Sequence, residues 1–315
     1  MRILVTGSRG KVGSATVDAL HRAGHEVTAC DLGRPVFEAA GPDVPRYVQA
    51  DLTDAGDAFA VVRGHDAVIH AAALPEPSRN PAHTVFHNNL MSVFNTLEAA
   101  VRWGVPRYVN VSSETVPGFF FPERPFLPDY APVDEDHPIR PQDPYATAKY
   151  FSELLMDAAM RRSDIGCLTI RPSWVQWEGN YAHNLGPHLR DPEAEPSASL
   201  WAYIDVYDLA DALGLAAQSE LDTHEVFYIA SPDNLANRPL ADILRHHHGD
   251  AIPLREPLPR PDAPGISIAK AQRLLGYDPQ RSWRDYLSED GELLSAARER
   301  LENEDTGVQR GRAIG

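Results

Sequence analysis

The chain has 315 residues, 43% of them apolar, and a formal net charge of −16 at pH 7. That length suits one large α/β domain or a core domain with a smaller one attached, and the charge argues against nucleic acid or an anionic membrane as partner. No apolar run approaches the roughly 20 residues that span a bilayer and no leader precedes the first strand; Cys30 and Cys167 fall in or beside expected core strands, so a cytoplasmic protein without a disulfide is expected.

Met1-Arg2-Ile3-Leu4-Val5 reads as a buried strand, and Ser14 to Leu20 repeats apolar residues at helical spacing. Between them stands Thr6-Gly7-Ser8-Arg9-Gly10-Lys11-Val12-Gly13. Glycines at that turn let the backbone approach a pyrophosphate, and the helix start offers free N–H groups and a partial positive charge. The spacing is G-x-x-G-x-x-G, one residue longer at the front than the commonest dinucleotide fingerprint. Gly7, Arg9, Gly10, Lys11, Val12 and Gly13 are therefore candidate cofactor residues.

His25 to Asp31 reads as the second strand, with Asp31 and Leu32 at its end. A carboxylate there accepts the ribose hydroxyls of an adenosine and repels a 2′-phosphate, so NAD is preferred over NADP; Arg34, with Arg9, could soften that preference. Arg46 to Ala50 is a third strand, and Asp51 and Leu52 stand where an adenine would lie. Thr53 or Asp54 caps the next helix. Ala67 to His70 is a fourth, buried strand. Ala71, Ala72 and Ala73 leave room for a cofactor backbone, while His70 reads as a buried histidine bonded to the main chain. A helix over roughly Pro81 to Trp103 contains Asn89, a residue mildly unfavourable there, which suits holding a neighbouring loop or an ordered water.

Arg107 to Ser113 is the fifth strand and delivers two hydroxyls to the edge that carries the glycine turn. Pro117 to Pro144 breaks the pattern with eight prolines. Its run Phe119-Phe120-Phe121 is expected to wall a pocket or a partner surface, and Asp134-Glu135-Asp136 reads as a solvated turn. Helix resumes at Pro144 and puts Tyr145 and Lys149 on one face. A tyrosine with a pKa of about 10 is a poor base; an ammonium one turn away stabilises the phenolate. With Ser113 holding the substrate oxygen, the three fit proton transfer at a carbinol while hydride moves to or from a nicotinamide.

These residues together, namely Thr6-Gly7-x-x-Gly10-x-x-Gly13, Asp31, Asp51-Leu52, His70-Ala71-Ala72-Ala73, Asn89, Val111-Ser112-Ser113 and Tyr145-x-x-x-Lys149, resemble the extended short-chain dehydrogenase/reductase family of NAD-dependent epimerases, dehydratases and sugar dehydrogenases. The resemblance implies a Rossmann-type doubly wound parallel sheet with a smaller C-terminal substrate domain. Residues 1–172 would form the NAD-binding part and 173–302 most of the substrate part, with 200–230 returning to the core sheet. It implies Ser113, Tyr145 and Lys149 as catalytic residues. It adds Asn89, Val111, Tyr145, Lys149 and Pro172 to the cofactor residues, and it implies a homodimer through the helices carrying Asn89 and Tyr145. Two departures bear on substrate. Pro117 precedes Gly118 where nucleotide-sugar members carry a tyrosine, and Trp174 replaces an asparagine, which weakens the case for a nucleotide diphosphate. The texture of this stretch looks closer to the uronate-dehydrogenase branch.

Cys167 to Arg171 is the sixth strand. Residues 174 to 199 read as irregular, and their Trp174, Trp177, Tyr181, His183, Asn184, His188 and Arg190 suit a sugar. Ser112, Glu114, Trp174, Asn180 and Tyr181 are the candidate substrate contacts. Leu200 to Asp211 reads as strand, turn and helix, and Glu225 to Ala230 as strand. Leu240 to His247, Ala269 to Leu275 and Ser282 to Leu301 read as helices, and 303–315 as a disordered tail. No metal site is expected, since His246, His247 and His248 point around their helix. The reading is an NAD-dependent oxidoreductase acting on a sugar-like alcohol, with small-molecule substrate. The alternative is a nucleotide-sugar epimerase that recycles its NAD; a dehydratase would add an Asp-Glu pair after Ser113, and Glu114-Thr115 does not supply it. A non-catalytic NAD-binding regulator is the reading from another class, against which the intact trio speaks.

Overall fold

The apolar run Ile3-Leu4-Val5 is fully buried and forms the middle of β1 (Arg2–Thr6), the strand from which the sheet extends both ways. In chain order there follow α1 (Lys11–Arg22), β2 (Glu26–Asp31), β3 (Arg46–Gln49), α2 (Ala55–Val62), β4 (Ala67–His70), α3 (Ala82–Trp103), β5 (Arg107–Val111), α4 (Pro144–Met160) and β6 (Gly166–Pro172). Then come β7 (Val175–Gln176), α5 (Tyr181–Asn184), α6 (Gly186–Arg190), β8 (Ile204–Asp205), α7 (Val206–Gln218), β9 (Glu225–Ile229), α8 (Leu240–His248) and α9 (Ala269–Leu275). This is a computed structural model that describes residues 1–33 and 44–301.

Seven strands form one sheet in the order β3-β2-β1-β4-β5-β6-β9, all neighbours parallel. Apart from β3, the strands are apolar and almost wholly buried because helices cover both faces. α1 packs on α7 on one side, and α2, α3 and α4 make the other layer. Strand order reverses between β1 and β4, and in open sheets of this kind ligands sit outside the carboxyl ends at that reversal. This is the expected Rossmann-type α/β fold. The chain returns to the sheet late: β9 pairs with β6 from Leu168↔Glu225 to Pro172↔Ile229, while β7 and β8 form a separate two-stranded sheet.

Local chemistry explains the helix starts. Asp54, not Thr53, caps α2 by accepting from Asp57 N, and Asp143 caps α4 by accepting from Tyr145 N and Ala146 N at 2.9 Å each, with Pro144 at the first position. Four expectations differ. β5 ends at Val111, so Ser112 and Ser113 lie just beyond the strand. Residues 174–199 contain β7, α5 and α6. The expected helix from Ser282 to Leu301 is a 3₁₀ turn, Trp283–Asp285, then a bridge between Leu287 and Leu293 around Gly291. Gly291 has φ +72° and touches Gly186, so helix resumes only over 295–301. The acidic run is a clamp rather than a solvated turn: Glu135 accepts from Tyr228 N at 2.8 Å and Asp134 pairs with Arg255 at 3.0 Å. Arg34 and the tail 303–315 lie outside the described residues.

Candidate active site

The glycine turn joins β1 to α1, and its glycines are there for space. Gly7 has φ +65°, and a Cβ on it would meet the Ala72 backbone at 2.7 Å; one on Gly13 would meet the Gly7 carbonyl oxygen at 2.1 Å. Gly10 N donates to Gly7 O at 3.0 Å. At the tip of β2 the Asp31 carboxylate accepts from Arg9 N at 2.9 Å and from Gly33 N at 3.3 Å. It is thereby held at the strand edge with acceptor capacity left over. Asp51 Oδ1 accepts from both Thr53 N and Thr53 Oγ1.

Two adjoining cavities open along this edge. The first, about 250 Å³, is lined by Gly7, Gly10, Asp31, Leu32, Asp51, Leu52, Ala71, Ala72 and Ala73, with Thr53, Leu74, Asn88 and Ser92. The second, about 510 Å³, shares Gly7, Gly10, Ala71 and Ala73 and continues over Lys11, Val12, Gly13, Val111, Ser112, Ser113, Glu114, Tyr145, Lys149, Pro172 and Trp174. A turn that a Cβ would fill, followed by a polar end at Asp31 and Asp51, fits the pyrophosphate and adenosine of NAD. Arg9 contributes its main chain; its guanidinium lies 5.8 Å over the Tyr47 ring.

His70 and Asn89 lie behind the cavity. His70 is fully buried, and its partners are side-chain hydroxyls rather than main chain alone: Thr6 at 3.1 Å, Ser92 at 3.3 Å and Thr96 at 3.3 Å. Burial, with Lys149 adding to it, pushes the imidazole down to about 3, so it stays neutral and structural. Asn89 accepts from Leu74 N at 2.8 Å and donates to Leu74 O at 3.0 Å. Its amide is spent on the loop after β4, and Asn89 does not line the cofactor cavity, its neighbour Asn88 doing so. Asn89 thus holds a neighbouring loop, one of the two uses expected of it.

Ser113, Tyr145 and Lys149 meet at the second cavity. Lys149 Nζ donates to Val111 O at 2.7 Å and lies 5.8 Å from the Tyr145 ring centre. Ser113 Oγ accepts from Thr115 N and Thr115 Oγ1 at 3.2 and 3.0 Å. Burial pushes Tyr145 up to about 12, and the Ser113 hydroxyl beside it pulls the other way. Burial also pushes Lys149 down to about 8, with Glu153 opposing. Desolvation thus dominates at the phenol, and what lowers it is the Ser113 hydroxyl rather than the Lys149 ammonium expected from the sequence. Glu114 is buried, and burial raises its carboxyl well above the usual range. The Ser173 hydroxyl beside it draws it back somewhat, while Glu114 Oε2 and Ser173 Oγ have no partner of good hydrogen-bond geometry.

Three of the substrate candidates have side chains engaged elsewhere, although Ser112 still lines the cavity. Tyr181 is fully buried away from the cavity, its hydroxyl on Asp205 Oδ2 at 2.9 Å and its ring stacked on Tyr286 at 4.1 Å. Asn180 Oδ1 accepts from Trp177 N at 2.8 Å and shapes the turn. The Ser112 hydroxyl turns inward to Glu153 Oε1 at 2.6 Å. Of the aromatic run, Phe119 and Phe120 stack together in the core and only Phe121 reaches the cavity. Thr115, Ser173, Val175 and Trp177 also line it; the alternation Ser173, Val175, Trp177 beside a strand end was the signal for them. Lys11 Nζ lies 4.8 Å over the Trp177 ring and ties that wall to the glycine turn.

The chain aligns with the UDP-glucose 4-epimerase of Corynebacterium glutamicum at 26% identity, over 94% of this chain and 96% of that one. It aligns with the dTDP-glucose 4,6-dehydratase of Streptomyces niveus at 29% identity, over 92% and 91%. An NAD-bound short-chain dehydrogenase/reductase superfamily protein from Agrobacterium tumefaciens has the same fold, with TM-score 0.70 and 25% identity over 97% of this chain and 100% of that one. Residues 3–230 match the NAD dependent epimerase/dehydratase family. With the glycine cradle, the strand-end acids and the serine–tyrosine–lysine cluster on one sheet edge, the chain belongs to that family of NAD-dependent enzymes.

Proposed function

We propose that the protein is an oxidoreductase for a sugar or sugar-like alcohol, with Tyr145 as the proton acceptor and donor at the reacting carbinol. The observation that carries this reading is the meeting of Ser113, Tyr145 and Lys149 at a cavity continuous with the glycine cradle. NAD, when bound, supplies or accepts the hydride. Ser113 orients the substrate oxygen toward the phenol, and Lys149 supplies positive charge beside it and a donor for a ribose hydroxyl. Gly7, Gly10, Lys11, Val12 and Gly13 hold the pyrophosphate, Asp31 the adenosine ribose, and Leu32, Asp51 and Leu52 the adenine. Ala71, Ala72, Ala73, Val111 and Pro172 flank the rest. Trp174, Trp177 and Phe121 offer apolar faces to a sugar ring, and the buried Glu114 offers it a hydrogen-bonding group. In this reading residues 1–172 bind the cofactor and most of 173–302 shapes the substrate side.

A free sugar is favoured over a sugar nucleotide because, among the described residues lining the second cavity, Lys11 and Lys149 are the only cations. The second reading, an epimerase of a nucleotide sugar that keeps its NAD, is supported by the alignment with UDP-glucose 4-epimerase along almost the whole chain. One experiment separates them: NADH absorbance is followed with NAD and a panel of free sugars, uronic acids and nucleotide sugars, and products are weighed by mass spectrometry. Net NADH from a free sugar supports the first reading; an isomer of unchanged mass from a nucleotide sugar, with no net NADH, replaces it with the second.

We further propose a homodimer through α3 and α4, where Leu90, Met91, Phe94, Phe151, Leu154 and Leu155 line an apolar groove. The two buried free thiols, Cys30 and Cys167, suit a reducing compartment such as the cytoplasm, and no described helix is long and apolar enough to cross a membrane.

A further inference from the structure

Behind the cavity, one turn along α4 from Lys149, lies an ion pair that the proposed chemistry does not use. Arg171 on β6 donates to Glu153 through Nε at 2.9 Å and through Nη2 at 2.7 Å, and the two side chains are 2% and 5% exposed. Glu153 Oε1 also accepts from the Ser112 hydroxyl at 2.6 Å, and Arg171 Nη1 reaches the Tyr228 hydroxyl at 3.3 Å. A buried pair of this kind contributes little net stability over an apolar pair of similar shape. Its place suggests another use. Glu153 stands four residues after Lys149, on the same helical face.

We propose that Glu153, paired with Arg171, is a positioning residue of the active site: it holds Lys149 as an ammonium beside Tyr145 and fastens the Ser112-Ser113 turn from behind. The inference deepens the proposed function, since it rests on Lys149 having to be cationic there. The other groups facing this corner do not supply that charge balance. His70 on β4 is neutral, Tyr145 and Tyr228 are phenols raised by burial, and Glu114 beyond β5 is a buried carboxyl raised in the same way. Asp143 is spent on the α4 cap. Glu135 is spent on Tyr228 N. Among the described residues, Glu153 is the group that acts on Lys149 against its burial.

The chain contains three lysines, Lys11, Lys149 and Lys270, so a protein labelled with ¹³C at lysine Cε gives three signals, assigned with Lys11→Arg and Lys270→Arg. The Lys149 signal is titrated in the folded, full-length protein without substrate, so the result does not depend on which alcohol, if any, is turned over. In Glu153→Gln the Lys149 midpoint is expected to fall by one pH unit or more, a tenfold loss of proton affinity. Glu153→Asp, which keeps the charge, should hold it within about half a unit, on the scale where one unit is a tenfold change. The double variant Glu153→Leu/Arg171→Met removes both charges, should fold as an apolar pair, and should show a smaller fall, because loss of the Arg171 cation offsets part of the loss of the carboxylate; it decides the matter if Glu153→Gln alone does not fold. A wild-type midpoint in any folded variant lacking the carboxylate overturns the proposal, and so does an equal fall in Glu153→Asp.

Discussion

The ammonium of Lys149 is fastened to the main-chain carbonyl of Val111 at 2.7 Å, which fixes the start of α4 to the end of β5. Burial depresses this lysine to about 8, below its ordinary value. Between about 8 and the unfolded value the unfolded chain binds a proton that the native state does not, so stability rises with pH across that window, and below it the full burial cost is present. Lys149→Met should therefore raise Tm at pH 7, and flatten its rise toward alkaline pH, while turnover falls by about 10²–10³. Thermal melts across pH, beside an activity assay, check both halves.

Tyr145→Phe should lower turnover by about 10²–10⁴. The ring remains against Lys149, so NAD affinity measured by calorimetry should stay within about twofold of wild type, a difference far below the 1.4 kcal/mol of a tenfold change. Near-normal turnover would remove Tyr145 from the chemistry.

Glu114 carries the opposite sign from an ordinary surface carboxylate. Its folded-state pKa is raised by burial. As pH climbs past the unfolded value the unfolded chain sheds its proton first, and stability falls until the folded carboxyl also ionises. Glu114→Gln removes that loss. Its Tm should exceed wild type at pH 7 and converge with it near pH 4, where both chains carry a neutral group. An identical pH profile for the two proteins would contradict the raised pKa.

Gly13→Ala places a methyl 2.1 Å from the Gly7 carbonyl oxygen. Backbone, not a flexible side chain, must move, so the variant should lose about 1–3 kcal/mol of stability and bind NAD far more weakly. Denaturant melts and NAD titration test it. Gly24→Ala gives the comparison: its φ is +83° but nothing stands within 4 Å, so it should be destabilised with NAD binding retained.

The groove on α3 and α4 leaves Phe94, Phe151 and Leu154 each at least 40% exposed, an apolar patch of the kind that marks an interaction surface. Phe151→Glu combined with Leu154→Glu should convert a species of twice 34.7 kDa into one of that mass by light scattering. A wild-type protein already monomeric at micromolar concentration would refute the dimer.

Much of the cofactor side was legible because its requirements are local. A glycine needed for a close approach, an acid at a strand end and a lysine one turn from a tyrosine are each written in a few adjacent positions, and the structure puts Gly7, Asp31, Tyr145 and Lys149 on one edge. The substrate side was less legible because side-chain direction there depends on distant partners. Tyr181 and Asn180 have the right chemistry for a sugar, yet Asp205 and Trp177 N claim them. Ser112 and Ser113 are adjacent hydroxyls, and nothing local announces that Glu153, some forty residues on, turns one of them inward. The long final helix failed because Gly291 bends the chain at a contact with Gly186 that sequence spacing cannot foresee.

Asp205 accepts from Tyr181 and from Tyr286, whose rings stack, and Trp283 N donates to the Tyr203 hydroxyl. The stretch bearing Trp174 and Trp177 is therefore shored up by residues about a hundred positions further along. Adaptation to a new substrate then has a route that leaves the cavity lining untouched: a substitution at Tyr286, which stacks on Tyr181 just past the Trp177 turn, is expected to shift that wall from outside while Tyr145 and the glycine cradle stay as they are. A laboratory selection for altered specificity is accordingly expected to find gains around Tyr286 as readily as in the pocket.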